Sequence, residues 1–192
     1  MGRARGFTLI ELVIVIIVVS IMAAVLTPMT LSSLLAYNTT QADLVVLDKL
    51  RYATERLARE IREVNYNSSN GFAFAAPVGA TCTAGTLGMC PNTMIFTRTF
   101  LDASGTASTA TVTISNTGSA VKLAYSTPTV AAQTLTDELN GTTGLSFTYL
   151  TSDGVTTTTD PKLVRSVQIS LTLRHNGSNY TQRTRVELKN IT

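Results

Sequence analysis

Tryptophan is absent from this sequence of 192 residues, and phenylalanine and tyrosine number only six each. Histidine occurs once, as His175, beside a predicted hairpin turn, where we expect a solvated strand-end residue and not a general base. The sequence contains no Gly-x-Ser-x-Gly nucleophile motif, no P-loop and no dinucleotide-binding glycine pattern. These absences favour a protein that is not an enzyme, and we expect no cofactor.

Charge is scarce and nearly balanced. The sequence has 15 basic and 12 acidic side chains, and removing Arg3 and Arg5 at the amino terminus leaves 13 basic against those 12. This near-neutral remainder argues against a nucleic-acid partner. The exception would be a local patch on adjacent predicted strands, formed by Arg165, Arg174, Arg183 and Arg185.

The two cysteines, Cys82 and Cys90, lie eight positions apart. Two thiols alone do not make a zinc site, and the spacing is not Cys-x-x-Cys. In a segment outside the cytoplasm such a pair most simply forms a disulfide that closes a loop. Asp153 and Asp160 flank a threonine-rich loop and are weak calcium candidates, but two carboxylates do not make an EF-hand pattern, so no metal site is predicted.

One long apolar run, from Phe7 to Leu26, is interrupted only by Thr8, Glu11 and Ser20. Its length is about that of a helix crossing a bilayer core. The two arginines that precede it predict a cytoplasmic amino terminus and an exported remainder. A cleaved secretory signal is the alternative, but the run is longer than the usual 7 to 15 or so apolar residues, contains an acid and lacks a clear Ala-x-Ala site.

The segment Arg5-Gly6-Phe7-Thr8-Leu9-Ile10-Glu11, followed by this apolar run, resembles the prepilin signature of type IV pilins and type II secretion pseudopilins. The resemblance implies cleavage between Gly6 and Phe7 by an inner-membrane prepilin peptidase, then N-methylation of Phe7. Glu11 matches the family's glutamate, and Pro28 matches its helix-bending proline. The implied partners are other pilin subunits and the inner-membrane assembly platform.

Cleavage would create a cationic amine on Phe7, and Glu11 lies four residues further on, on the same helix face. The carboxylate can neutralise that amine or the amine of a neighbouring subunit. An intersubunit pair would set axial register, because misregister leaves two charges unpaired among apolar helices. The alternative is a side chain that only extends to the membrane interface. At Pro28 we expect a bend or local melting, with Thr27 and Thr30 helping to satisfy the freed backbone.

The residue patterns and the resemblance together predict five segments and an α+β fold similar to that of type IV pilins, with a long helical spine packed on an antiparallel β-sheet. The segments are a leader (1–6), a hydrophobic transmembrane and filament-core helix (7–30), an amphipathic helix (31–65), a connecting loop with a disulfide (66–92) and a β-sheet head domain (93–192). The amphipathic helix rests on Leu44, Leu47, Leu50, Leu57, Ile61 and Val64. Four i, i+4 pairs predict a solvated opposite face: Arg51–Glu55, Glu55–Arg59, Arg56–Glu60 and Arg59–Glu63.

The head domain has strand patterns at Thr93–Phe100, Thr109–Ser115, Ala120–Tyr125, Leu145–Thr151, Val164–His175 and Asn179–Leu188. Asn176-Gly177 predicts a two-residue hairpin turn between the last two. We predict one antiparallel sheet, with a short turn at Asp137–Leu139. The connecting loop before it is interpreted either as an intersubunit contact surface or as a plain connector.

Four further segments are similar to larger minor pilins of the W-type and O-type and to the J pseudopilin: Arg56–Glu63, Leu145–Tyr149, Val164–Ile169 and Val186–Asn190. The resemblance implies a structural minor pilin or pseudopilin that initiates or caps a filament. The alternative is a pilus-tip adhesin or DNA-uptake subunit. We expect a single-pass inner-membrane protein that later enters a surface pilus or a periplasmic pseudopilus.

Overall fold

The computed structural model describes residues 6, 8–75, 89–102 and 104–189. One long helix, α1 (Leu9–Arg62), is followed by antiparallel sheets, which is the predicted α+β, pilin-like arrangement. The strands are β1 (Tyr66–Asn67), β2 (Gly71–Phe72), β3 (Met94–Leu101), β4 (Ala107–Thr117), β5 (Ala120–Tyr125), β6 (Val130–Thr136), β7 (Leu145–Leu150), β8 (Ser166–His175) and β9 (Ser178–Glu187). The chain divides into two units, Met1–Leu44 and Val45–Thr192.

Pro28 lies inside α1, which continues through it. Because proline lacks an N–H, the carbonyl of Ala24 loses its i+4 donor. The Thr27 hydroxyl donates to Ala23 O at 2.6 Å, and the Thr30 hydroxyl donates to Thr27 O at 2.9 Å. Neither therefore takes over the freed carbonyl in the way that we predicted.

The second unit contains the last part of α1, which ends at Arg62, three residues before the predicted end at Asn65. Its apolar side chains recur at helical spacing and are buried: Val46, Leu50, Ala53, Leu57 and Ile61. They form one core cluster with the inward side chains of the strands. The predicted apolar face is therefore confirmed at Leu50, Leu57, Ile61 and Val64. It was wrong at Leu44 and Leu47, which are 50% and 44% exposed and so lie off the buried face.

The head contains two main sheets and not the predicted single one. One has the strand order β3-β4-β5-β6 and the other β7-β8-β9, all antiparallel. The prediction was wrong because the segment between β6 and β7 includes a 3-10 turn at Gly141–Thr143. Only one isolated bridge, Leu139 to Leu173, is formed there within the described residues.

Strand β6 was not predicted. Its residues 131–134 are all exposed, so the segment Ala131-Ala-Gln-Thr134 lacks the alternation that identifies a half-buried strand. Its ladder with β5 is also irregular, with register shifts near Lys122 and Leu123. As an edge strand held mainly by backbone pairing, it needs few apolar side chains.

The predicted hairpin turn between β8 and β9 is confirmed. His175 pairs with Ser178, which leaves Asn176 and Gly177 as the two turn residues. Both have positive φ, 48° and 82°. This combination is what a type I′ turn requires, and asparagine and glycine adopt it at the least cost.

The segment predicted as a connecting loop also contributes to the core. It contains the β1–β2 hairpin, and the side chains of Phe72 and Phe74 are buried. The Phe74 ring lies edge-on to Tyr149, with 5.4 Å between ring centroids. Phe74 also forms an isolated bridge to Phe96. This segment is therefore anchored to both main sheets.

Glu60 corrects the prediction that the charged side of α1 is solvated. Its side chain is only 2% exposed, with Oε1 2.8 Å from Arg56 Nη2 and Oε2 3.1 Å from Arg98 Nη1. The Tyr125 hydroxyl donates to Glu60 Oε1 at 2.8 Å. Burial and this bond to Glu60 raise the pKa of Tyr125. Glu63, expected to pair with Arg59, instead contacts Arg98.

Tyr149 gives a prediction at alkaline pH. Its hydroxyl donates to Cys90 O at 3.3 Å, and burial raises its pKa above the usual range. The unfolded chain would release this proton near the ordinary value of 10.0. The contribution of Tyr149 to the free energy of unfolding is therefore fully present below about pH 10. Above that pH the free energy of unfolding should fall by up to about 1.4 kcal/mol per pH unit because of this residue.

Urea unfolding between about pH 8 and pH 11 checks this expectation. Tyr149→Phe should flatten the alkaline decline, whereas Tyr52→Phe, which alters an exposed tyrosine on α1, should leave it unchanged. Equal slopes for the wild type and Tyr149→Phe would contradict it.

Candidate processing and assembly site

The amino terminus of α1 carries a reciprocal cap formed by Thr8 and Glu11. The Thr8 N–H and hydroxyl both lie 3.4 Å from Glu11 Oε2, and the Glu11 N–H donates to Thr8 Oγ1 at 3.4 Å. Thr8 immediately precedes the first helical residue, Leu9. This is a capping box, in which each residue satisfies an N–H that the helix leaves free. The spacing Thr-x-x-Glu is the sequence signal for this cap, which we did not predict.

The cap also determines the electrostatics of Glu11. Its carboxylate lies in the first turn of α1, where the helix dipole favours negative charge. Within the described part of the chain it forms no salt bridge, and its second oxygen, Oε1, accepts no hydrogen bond. The side chain is exposed. One oxygen is thus held by the cap, while no described residue donates a hydrogen bond to the other.

Gly6, on the amino-terminal side of the predicted cleavage point, is exposed. A β-carbon placed on it would meet no atom within 4 Å. Phe7, the predicted new amino terminus, lies outside the described residues. The structure therefore shows an accessible Gly6 but gives no distance between Phe7 and Glu11.

The apolar run has no covering layer in the first unit. Its large side chains are 42% to 81% exposed between Leu9 and Leu26. The few hydroxyls are bonded to the helix itself, since Ser20 donates to Ile16 O at 2.7 Å and Thr27 donates to Ala23 O. A bilayer requires this internal satisfaction because it offers no water to polar groups. Among the described helices, α1 is long and apolar enough to cross a membrane.

The first turn and the apolar run are the part of the chain that comparison identifies. Residues 1–27 match the prokaryotic N-terminal methylation motif. This match supports the type IV pilin and pseudopilin family and implies processing by prepilin peptidase and assembly with other pilin subunits. That family is structural and not enzymatic, and one apolar amino-terminal helix fits its single-pass inner-membrane anchor. Neither the curated proteins nor the solved structures give a significant match to the chain.

Cys90 is buried and disulfide-bonded. Its backbone is tied to β7 by the Tyr149 hydroxyl, and the next residue, Pro91, accepts a hydrogen bond from Phe147 N at 2.6 Å. Cys82, the predicted partner, lies outside the described residues. The pairing of Cys82 with Cys90 therefore stays a prediction.

The weak calcium candidates have other partners. Asp153 Oδ1 accepts from the Thr151 hydroxyl and from two backbone N–H groups, and Oδ2 accepts from the Thr156 hydroxyl. The Thr156 hydroxyl and these N–H groups hold the pKa of Asp153 well below its usual range. Asp160 accepts from Lys162 N. The described residues contain no group of three metal-type ligands.

His175 is half-buried and not the solvated residue that we predicted. Its Nδ1 lies 3.5 Å from Glu138 Oε1, which also contacts Lys49 Nζ at 3.1 Å. The hydrogen bond to Glu138 is the main cause of a raised pKa at Lys49. The segment predicted as a short turn thus supplies a carboxylate that joins α1 to the end of β8.

Proposed function

We propose that this chain is a structural minor pilin or pseudopilin, processed at Gly6–Phe7 and incorporated into a type IV pilus or a type II secretion pseudopilus. One observation carries the proposal. The methylation motif coincides with a capped, exposed apolar helix, and the same helix supplies the apolar face that packs on the head sheets. A subunit that leaves a membrane for a filament needs such a surface, because other helices must replace the lipid.

The proposed sequence of events follows from the cap. Before cleavage α1 anchors the chain in the inner membrane with the head in the periplasm. Cleavage converts the Phe7 amide into an amine, and methylation leaves it cationic. Glu11 then offers Oε1 to this amine or to that of the adjacent subunit, while Oε2 stays in the cap with Thr8.

A minor position, in initiation or at the tip, is supported by the sequence. Both cysteines precede the head strands, whereas a major pilin more typically has them around its carboxy-terminal strands. The four segments similar to larger minor pilins point the same way. Filaments sheared from cells and analysed by intact mass should show loss of residues 1–6 and gain of one methyl group, at low abundance. An intact amino terminus would refute the processing, and high abundance would refute the minor role.

Gly6→Val should block processing and leave the head stable. Apart from its chain neighbours, no described residue has an atom within 4 Å of a β-carbon at Gly6, so we expect no clash of the new side chain with the described part of the fold. We expect precursor to accumulate in membranes, which an immunoblot would detect as the unshifted band. Thermal unfolding should match the wild type, and normal cleavage would contradict the assignment of Gly6.

A further inference from the structure

Nine basic side chains in the second unit form no salt bridge with a described residue: Arg59, Arg62, Lys122, Lys162, Arg165, Arg174, Arg183, Arg185 and Lys189. Six of them belong to the last part of the chain, from Lys162 to Lys189, which contains a single acid, Glu187. Four other cations in this unit do have carboxylate partners: Lys49, Arg51, Arg56 and Arg98. Unpaired positive charge is therefore concentrated in one part of the fold.

Arg183 and Arg185 lie on β9, two residues apart, and both are exposed. Val186 between Arg185 and Glu187 is buried, so the arginines share the outward face. Two residues of a strand span about 6.8 Å. Arg183 is opposite Ser170 on β8, and Arg185 is opposite Gln168.

Arg185 borders two surface concavities that bring other cations near it. One, of about 340 Å³, is also lined by Arg165 and Asp153. The other, of about 500 Å³, is lined by Arg62, Lys189 and Glu187. We name Arg62, Arg165, Arg183, Arg185 and Lys189 the Arg185 cluster.

The two carboxylates in these concavities, Asp153 and Glu187, offset only part of the positive charge of the five cations in the cluster. Asp153 accepts four hydrogen bonds from its own loop. Glu187 is the other acid among the lining residues, and it faces three cations in the larger concavity. The Arg185 guanidinium lies close to Gly154, since a β-carbon placed on that glycine would be 2.7 Å from Arg185 Nη1.

The neighbouring outward face indicates which kind of anion would bind. Six outward positions of β7, β8 and β9 are hydroxyl or amide side chains: Ser146, Thr148, Gln168, Ser170, Thr172 and Thr181. Protein interfaces concentrate aromatic residues, and proteins that bind single strands stack bases on aromatic rings. The outward face of β7, β8 and β9 carries no aromatic side chain for either kind of contact. It suits repeated phosphates, which arginine binds through its planar fork.

We propose that the Arg185 cluster binds the phosphate backbone of duplex DNA without reading its sequence. The sequence argued against nucleic acid because the total charge is near neutral, but that total sums acids and bases that the fold separates. The inference concerns only the folded head. It goes beyond the proposed structural role and does not depend on assembly into a filament.

Fluorescence anisotropy of a labelled duplex of about 30 base pairs tests the proposal, with the full chain in a nonionic detergent and salt varied from about 50 to 200 mM. We expect binding whose log affinity falls linearly with log salt, with a slope of about −3 to −4 for four contacts. Duplexes of unrelated sequence should bind within about twofold of each other.

Arg183→Gln with Arg185→Gln should weaken binding by about tenfold or more and reduce the size of the salt slope by about two. Arg51→Gln with Lys122→Gln removes the same charge from α1 and β5 and should change affinity less than about twofold. Glu187→Gln should tighten binding, which a misfolded variant would not do. Circular dichroism would verify that each variant is folded.

Three results would overturn the proposal. They are no binding at the lowest salt, equal losses in the two double variants, and an affinity that does not vary with salt. Poly-glutamate of matched charge provides a further arm. If it competes as well as unlabelled DNA, the surface binds acidic polypeptide and the assignment to DNA is wrong. This assay uses the unprocessed chain, so its outcome decides the DNA-binding proposal alone. The filament role is decided separately by the intact mass of sheared filaments.

Discussion

Glu60→Ala should lower the free energy of unfolding by about 3 kcal/mol. Glu60 is almost fully buried and lies between the guanidinium groups of Arg56 and Arg98. Removing the carboxylate leaves Arg56 without a carboxylate partner and Arg98 with Glu63 alone, and the Tyr125 hydroxyl loses its acceptor. The arginines are 31% and 21% exposed and can turn partly to water, so the loss should fall at the low end of the range for broken buried pairs.

Glu55→Ala provides a matched control on the same helix. Arg51–Glu55 has the same i, i+4 spacing and the same 2.8 Å distance as Arg56–Glu60, but the Glu55 side chain is 60% exposed. Its removal should cost less than about 0.5 kcal/mol, because exposed pairs are screened by solvent. Urea unfolding of both variants gives the comparison. Similar losses for the two would show that burial of Glu60 does not decide its contribution.

The ion pairs Arg51–Glu55 and Arg56–Glu60 also show what the sequence predicts and what it does not. The i, i+4 spacing correctly predicts both pairs, because helix geometry fixes which side chains are neighbours. It does not tell which pair is buried. Glu60 lies three residues after Leu57 and four before Val64, on the apolar face, and that spacing was the available signal.

The strands too were predicted where local spacing determines the structure, and were missed where it does not. β5 was predicted at its observed ends, and β8 was predicted from Val167, Ile169, Leu171 and Leu173, which are all buried. Alternation records burial on one face, so it predicts strands that cover a core. It could not predict β6, whose outer residues are exposed, nor the division into two sheets, which depends on pairing between distant segments.

The processing site and the Arg185 cluster also differ in how far the sequence alone predicts them. The processing motif is contiguous in the chain, so the sequence alone predicts it, and even the cap between Thr8 and Glu11 is readable at a spacing of three. The Arg185 cluster joins the end of α1 to β9 and to the residues flanking it. Of the four arginines in the predicted patch, Arg165 lines a concavity with Arg185, and Arg183 lies on the same face of β9. Arg174, which is opposite Asn179, lines neither concavity, and the contribution of Arg62 and Lys189 needed the tertiary structure.

Glu11→Ala should leave cleavage intact and reduce incorporation into filaments by at least about 100-fold. A cationic amine that enters a dry bundle of apolar helices without its carboxylate costs several kcal/mol, and each 1.4 kcal/mol or so is a factor of about ten. Quantitative immunoblotting of sheared filaments against the membrane fraction measures the incorporated share. The size of the precursor and mature bands in the same blot reports processing.

Because Glu11 also caps α1, two further variants are needed to separate its charge from its hydrogen bonds. Glu11→Gln retains a side chain that can serve in a capping box but removes the charge, so it should fail as Glu11→Ala does. Thr8→Ala removes the reciprocal partner in the cap but keeps the charge, and it should cost only about 1 kcal/mol of helix stability. We therefore expect near-normal incorporation of Thr8→Ala. The reverse order, with Glu11→Gln functional and Thr8→Ala defective, would mean that Glu11 acts by ordering the first turn and that register is set elsewhere in the chain.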